Sequence, residues 1–229
     1  MNGRLTVVSG IDTGVGKTAV TGLLAASLLH RGVRVMTSKT VQTGCTGIAD
    51  DIVEHRRLMG IPLEEADRLR LTCPQVFPLP ASPHLAARMA GSEVDLAGIS
   101  ASVNALLEQY DEVLLEGVGG LLVPLSPDML FLDYVKSGGW DLLLVATPRL
   151  GSINHTLLSV EACLCREVPL RGIIYNRFGE HDPLIAEDSL ETIRRELSRR
   201  SLSLPVIDFR SASFHRTDLE QLGFLVPEP

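Results

Sequence analysis

Nine residues near the start of the chain, Gly10-Ile11-Asp12-Thr13-Gly14-Val15-Gly16-Lys17-Thr18, have the types that phosphate chemistry needs. Glycines let a backbone come close to a ligand, and the free amides that open a helix make a concave nest for anions. Lys17 would reach the β and γ phosphates of a nucleoside triphosphate, and the Thr18 hydroxyl would ligate Mg²⁺. The usual pattern puts its first glycine at position 11, where this chain has Ile11 and sets the glycine one residue earlier, so the loop is a variant. The plain alternative is an ordinary glycine turn ahead of a helix.

Other residues fit the same chemistry, each beside a simpler reading. Lys39 closes an apolar run and is either a cation at the phosphate site or a solvated loop lysine. Glu116 precedes Gly117, Val118, Gly119 and Gly120; it is a metal-holding acid beside an open backbone, or a cap on the next segment. Thr43 is a substrate contact or a turn hydroxyl. Ser152-Ile153-Asn154-His155 opens a helix whose amides could take a carboxylate, unless Ser152 or Asn154 is simply its N-cap. The Asn176 amide pairs with a purine edge or closes a turn. No His and Cys have zinc spacing; Cys163 and Cys165 read as core and boundary residues, and Cys45 as an accessible thiol that nothing activates. His84 and His155 read as packing and helix-start residues. Arg194, Arg195, Arg199 and Arg200 read as a solvated helix face paired with Glu191 and Glu196.

A nucleotide loop alone names no reaction. Taken with Lys39-Thr40-Val41-Gln42-Thr43-Gly44, the variant loop resembles the dethiobiotin synthetase family, cyclo-ligases that close a cyclic urea on a diaminononanoate at the expense of ATP. Ala81-Ser82-Pro83-His84, Glu116-Gly117-Val118-Gly119-Gly120, Gly151-Ser152-Ile153-Asn154-His155 and Asn176 follow in the family's order, so the resemblance spans about residues 5–177. It implies ATP and Mg²⁺, with 7,8-diaminononanoate and CO₂ or bicarbonate as substrates. Lys39 and Lys17 would be catalytic, and Thr43, Thr13, Gly119, Ser152 and Asn154 would touch substrate. Gly14, Val15, Gly16, Lys17, Thr18 and Ala19, then Asp51, Glu116, Gly117, Val118, Gly119, Asn176 and Arg177, would hold the nucleotide. Thr18, Asp51 and Glu116 would hold the metal, with Asp50 as the rival for Asp51. It also implies a homodimer in which the Ser152 region of one subunit reaches the other's substrate. Thr40 replaces the usual proline, a change expected to affect only loop stiffness. After the last strand, Pro205-Val206-Ile207-Asp208-Phe209-Arg210 lacks the family's adenine-holding glycine, so base recognition is expected to differ.

The elements that must position these residues alternate along the chain. Strand-like runs cover 5–9, 33–36, 112–115, 141–146, 170–175 and 204–207; helical spacing covers 19–31, 50–59, 63–69, 96–110, 156–166 and 184–199. The prolines between 74 and 83 mark a loop. Continuous apolar strands separated by helices predict a doubly wound α/β domain, a mostly parallel sheet with helices on both faces, whose ligands sit at the carboxyl ends of the strands. Residues 1–229 are expected to form one such domain.

Composition narrows the classes. With 45% hydrophobic and 21% charged residues, the chain is no disordered polymer. A net charge of -7 and 4% aromatics argue against nucleic-acid binding. The apolar runs are too short for a membrane span, no signal-peptide core opens the sequence, and four cysteines make no disulfide scaffold, so a cytoplasmic protein is expected. Two alternatives share the fold: another amide-forming ligase, which would lack the Lys39–Thr43 loop, and a partition or positioning switch ATPase. The switch class carries a lysine where this chain has Asp12 and often a membrane-binding terminal helix, whereas this tail reads Gly-Phe-Leu-Val-Pro-Glu-Pro.

Overall fold

In a computed structural model of the chain, residues 3–179 and 182–225 are described; the first two residues and the last four of the tail considered above lie outside them. The elements run β1 (Arg4–Gly10), α1 (Lys17–Leu29), β2 (Val35–Lys39), β3 (Gln42–Thr43), α2 (Asp50–Met59), α3 (Glu65–Arg68), β4 (Val76–Phe77), α4 (Pro83–Met89), α5 (Leu96–Leu107), β5 (Glu112–Gly120), β6 (Pro124–Ser126), β7 (Met129–Leu130), α6 (Phe131–Gly138), β8 (Asp141–Ala146), α7 (Ser152–Cys165), β9 (Leu170–Asn176), α8 (Pro183–Arg199), β10 (Val206–Phe209) and α9 (Arg216–Gln221). Six strands form one parallel sheet in the order β10-β9-β8-β1-β5-β2; β3-β4 and β6-β7 make two small ribbons.

The central strands are apolar without alternation because both faces of the sheet are covered, and β8 after Asp141 and the first six residues of β5 are buried. From β1 the chain moves outward to β2, returns to β5, and then crosses to β8 on the other side. This reversal opens a crevice at the carboxyl end of β1. The parallel register sets Lys39 of β2 opposite Glu116 of β5, and Val8 of β1 opposite the same glutamate.

Several expected boundaries shift, each for a local reason. Helix α1 begins at Lys17, two residues before the expected start, because Gly16 caps it at φ 88°. Helix α7 begins at Ser152 behind Gly151 at φ 87°, not at 156. Strand β2 covers Val35–Lys39, not 33–36, and β10 begins after Pro205, which has no N–H for the ladder. The expected helix 63–69 shrinks to the single turn of α3. In the expected proline loop, Pro83 is the first residue of α4, a position where its fixed φ favours a helix. Helices α6 and α9 are too short to show a clear period and were not expected. The arginine cluster on α8 has mixed partners: Arg199 pairs with Glu196, Arg200 with Glu161 of α7, and Arg194 with the Val206 carbonyl.

Candidate active site

The glycine loop joins β1 to α1. A side chain at Gly16 would put its Cβ 2.2 Å from Asn176 Nδ2, and its φ lies in the left-handed region, so only glycine fits on both counts. The first helical bond runs from Val20 N–H to the Gly16 carbonyl, which leaves the amides of Lys17, Thr18 and Ala19 without intrahelical acceptors at the positive end of the helix. The Lys17 ammonium folds back 2.9 Å to the Asp12 carbonyl. Burial, helped by the nearby Lys39 charge, depresses its pKa to about 8.

Across the cleft, Lys39 is buried and donates to Glu116 Oε1 at 2.8 Å, to the Gly117 carbonyl at 2.9 Å, and to Asp51 Oδ2 at 2.7 Å. Three N–H groups meet three acceptors, so this is no solvated loop lysine. Burial alone would lower its pKa, but the Glu116 and Asp51 carboxylates outweigh it and hold the value above the usual lysine range. Glu116 is also buried; burial would raise its pKa, yet Lys39 and His55 bring it down to about 2. Asp51, at the start of α2, turns toward the cleft, while Asp50 is exposed in the same first turn.

The Thr18 hydroxyl lies 3.1 Å from Asp51 Oδ1 and 3.1 Å from Glu116 Oε1. It has one proton, so it can donate to only one carboxylate at a time. Three oxygens thus converge on a point that a hard cation would suit, and Mg²⁺ prefers such donors completed by phosphate and water. Among the described residues no three His, Cys, Asp or Glu side chains form a metal cluster by themselves, in keeping with a site that needs a hydroxyl and a bound phosphate.

These groups line a cleft of about 710 Å³ with Thr13, Gly14, Gly16, Thr43, Val118 and Gly119; Gln42, Val123 and the segment 80–83 are also in the wall. Other expected site residues lie elsewhere. Ser152 lines a separate cleft with Arg149 and Leu184, and Asn154 is exposed. Neither side chain caps α7, so the simple cap reading fails, and the Ser152 and Thr156 hydroxyls are buried without partners. Asn176 donates to the Val15 carbonyl at 3.0 Å and accepts from the Phe178 N–H at 3.0 Å, so its amide braces the glycine loop. Arg177 faces Glu187 at 3.2 Å and Asp208 at 3.5 Å, away from the cleft. Arg210 bonds the same two carboxylates, so a charged cluster stands at the end of β10.

Two readings change. Thr40 does more than relax a loop: its N–H and its hydroxyl both donate to the Glu116 carbonyl, at 3.0 and 2.9 Å, and proline could make neither bond. Cys45 is buried, and burial raises its pKa, so the thiol stays protonated. The sequence reading did not single out His55, whose Nε2 lies 2.7 Å from Glu116 Oε2, nor Arg149, which pairs with Asp12 across the mouth of the glycine loop. The i, i+4 spacing of Asp51 and His55 on one helix was the available signal for the first; the second had none.

The AAA domain family matches residues 4–207. A protein of Chlorobaculum tepidum described as ATP-dependent dethiobiotin synthetase BioD is 54% identical over 213 residues, covering 93% of this chain and 89% of that protein. A Haemophilus influenzae protein described as ATP-dependent dethiobiotin synthetase BioD 2 is 46% identical over 185 residues, covering 81% of this chain and 97% of that protein. Among solved structures, pNOB8 ParA bound to nonspecific DNA superposes with a TM-score of 0.56 over 96% of this chain and 83% of that one, at 15% identity, which is a likeness of fold alone.

Proposed function

The chain belongs to the ATP-dependent dethiobiotin synthetase family, and from that premise we propose which of its residues perform the ring closure. The enzyme is an ATP-dependent ligase that makes dethiobiotin in biotin biosynthesis, from diaminononanoate and CO₂. One amine and CO₂ give a carbamate and release a proton. Its oxygen attacks the γ phosphorus and ADP leaves. The second amine then attacks the carbonyl carbon of the mixed anhydride, sheds a proton and expels phosphate, closing the cyclic urea.

Little covalent help is needed for phosphoryl transfer; alignment and charge neutralisation dominate. The amides that open α1 cradle the phosphates, and Lys17 leaves the Asp12 carbonyl to meet the γ phosphate. Lys39 turns one N–H from its carboxylate partners to the carbamate oxygen, holding it in line. Thr18, Asp51 and Glu116 would hold Mg²⁺, which when bound supplies charge neutralisation on the phosphates. Thr13, Thr43 and Gly119 border the diamine. The observation that carries this reading is the bridge of Lys39 between Glu116 and Asp51, facing Lys17 and Thr18 across one cleft.

We also read the enzyme as a homodimer and residues 1–229 as one ligase domain. In one chain Ser152 and Asn154 sit apart from the Lys39 cleft, as they would if they served a partner's substrate. The main hydrophobic core draws on residues from Leu5 to Phe224, beside a small cluster of Ala49, Ile52 and Cys73. A cytoplasmic site agrees with four free cysteines. No helix among the described residues is long and apolar enough to cross a membrane.

The test supplies ATP, bicarbonate and 7,8-diaminononanoate and weighs the product by mass spectrometry. Chelating divalent metal, or Glu116→Gln, should stop dethiobiotin formation. Undiminished product under chelation would sink the metal role, and undiminished product in the variant would remove Glu116 from the site. Sedimentation should show a dimer.

A further inference from the structure

His55 is fully buried and projects from α2 one turn beyond Asp51, on the same face. Helix α2 comes close enough because α1 presents Gly22 there: a Cβ at that position would lie 2.7 Å from Leu58 Cδ1 and 3.3 Å from the His55 Cα. An ionised carboxylate only accepts, so the proton in the 2.7 Å contact with Glu116 Oε2 sits on His55 Nε2. Nδ1 is buried without a partner. As core filler the ring is a poor choice, since an apolar side chain would leave no buried nitrogen unpaired. Among the described residues its one polar engagement is Glu116.

The Glu116 main chain is already held, because its carbonyl accepts twice from Thr40. Those bonds do not fix the side chain, whose carboxylate turns about a soft terminal torsion. Tying Oε2 to His55 stops that turn and leaves Oε1 facing Lys39 at 2.8 Å and Thr18 at 3.1 Å.

We propose that His55 is a positioning residue of this ligase, locking the Glu116 carboxylate so that a single oxygen faces the metal and phosphates. The proposal rests on the assignment of Thr18, Asp51 and Glu116 to Mg²⁺. Outer-shell partners of metal ligands commonly carry 10–100-fold in metal affinity, and about that much is expected here.

The test uses the full chain with a non-hydrolysable ATP analogue and Mn²⁺ as the probe, read by electron paramagnetic resonance. His55→Leu should weaken Mn²⁺ in the ternary complex by roughly 10–100-fold and leave metal-free nucleotide binding unchanged. His55→Gln, whose amide reaches the Nε2 position, should restore most of the affinity; His55→Asn, which reaches only as far as Nδ1, should not. Wild-type Mn²⁺ affinity in His55→Leu, or equal affinities in the Gln and Asn variants, overturns the proposal. Should His55→Leu fail to fold, the Gln and Asn pair decides alone. Glu116→Gln separates the two ideas: if it too keeps full Mn²⁺ affinity, the metal assignment falls, and if it loses metal while His55→Leu does not, only His55 is misassigned.

Discussion

Helix α2 contributes to two buried charge clusters that differ in how completely their demands are met. At one, Arg56 lies between β2 and α3. Its guanidinium takes both Asp67 oxygens, at 2.9 and 2.8 Å, and Thr37 Oγ1 at 2.7 Å, while Asp67 also accepts from Thr72 and from the Glu64 N–H. Burial would raise the Asp67 pKa, but Arg56 holds it below the ordinary range. At the other, Thr18 has one proton for two carboxylates, and Lys39 spends every donor on its own protein's groups. The first cluster is closed and sealed. The second opens on a cleft, where under the proposed function a ligand would complete it. Burial of charge is common to both; an unfilled demand beside a cleft marks the functional one.

The comparison breaks first at Asp67→Ala, which leaves Arg56 buried without its anion. Unfolding free energy should fall by about 3–5 kcal/mol, roughly 10 °C in Tm for a chain of this size. Thermal denaturation reads it, and a drop under about 1 kcal/mol would mean that the closed cluster is not structural. Lys39→Ala inverts the pattern. Removing a preorganised charge at the reacting centre should cut kcat on the order of 10²–10³-fold, while nucleotide still binds; stability falls as well, because buried Glu116 loses its cation. Near-normal turnover would end its catalytic role.

A smaller effect concerns Lys17. Its folded pKa lies below the usual lysine value, so the free enzyme loses this proton as pH rises through about 8. The kcat/KM for ATP should then fall about tenfold per pH unit above that point, and a flat profile to pH 10 would refute the assignment. The smallest belongs to Arg149. Its pair with Asp12 is half-exposed, so Arg149→Ala should change stability by about 0–1 kcal/mol. A larger loss would make this rim contact part of the closed architecture.

The fold class was readable because apolar strands and helical spacing are local patterns; β8 and α2 match their expected limits. Helix α4 was hidden because Pro83 serves equally as a loop breaker and as a first helical residue. Thr40 was underrated because the sequence shows a missing proline, not the two bonds that its N–H and hydroxyl make. His55 and Arg149 were missed because their partners are 61 and 137 residues away.

By itself the sequence determined the phosphate loop, because Gly16, Lys17 and Thr18 act through consecutive backbone and need only a strand before and a helix after; the resemblance to a reaction family needed Lys39-Thr40-Val41-Gln42-Thr43-Gly44 and the later segments as well. Tertiary structure alone decided which acid faces the cleft, how Lys39 and Glu116 are paired, and where Ser152 and Asn176 point. Those depend on strand register and helix packing between segments far apart in the chain, and no local spacing encodes such distances.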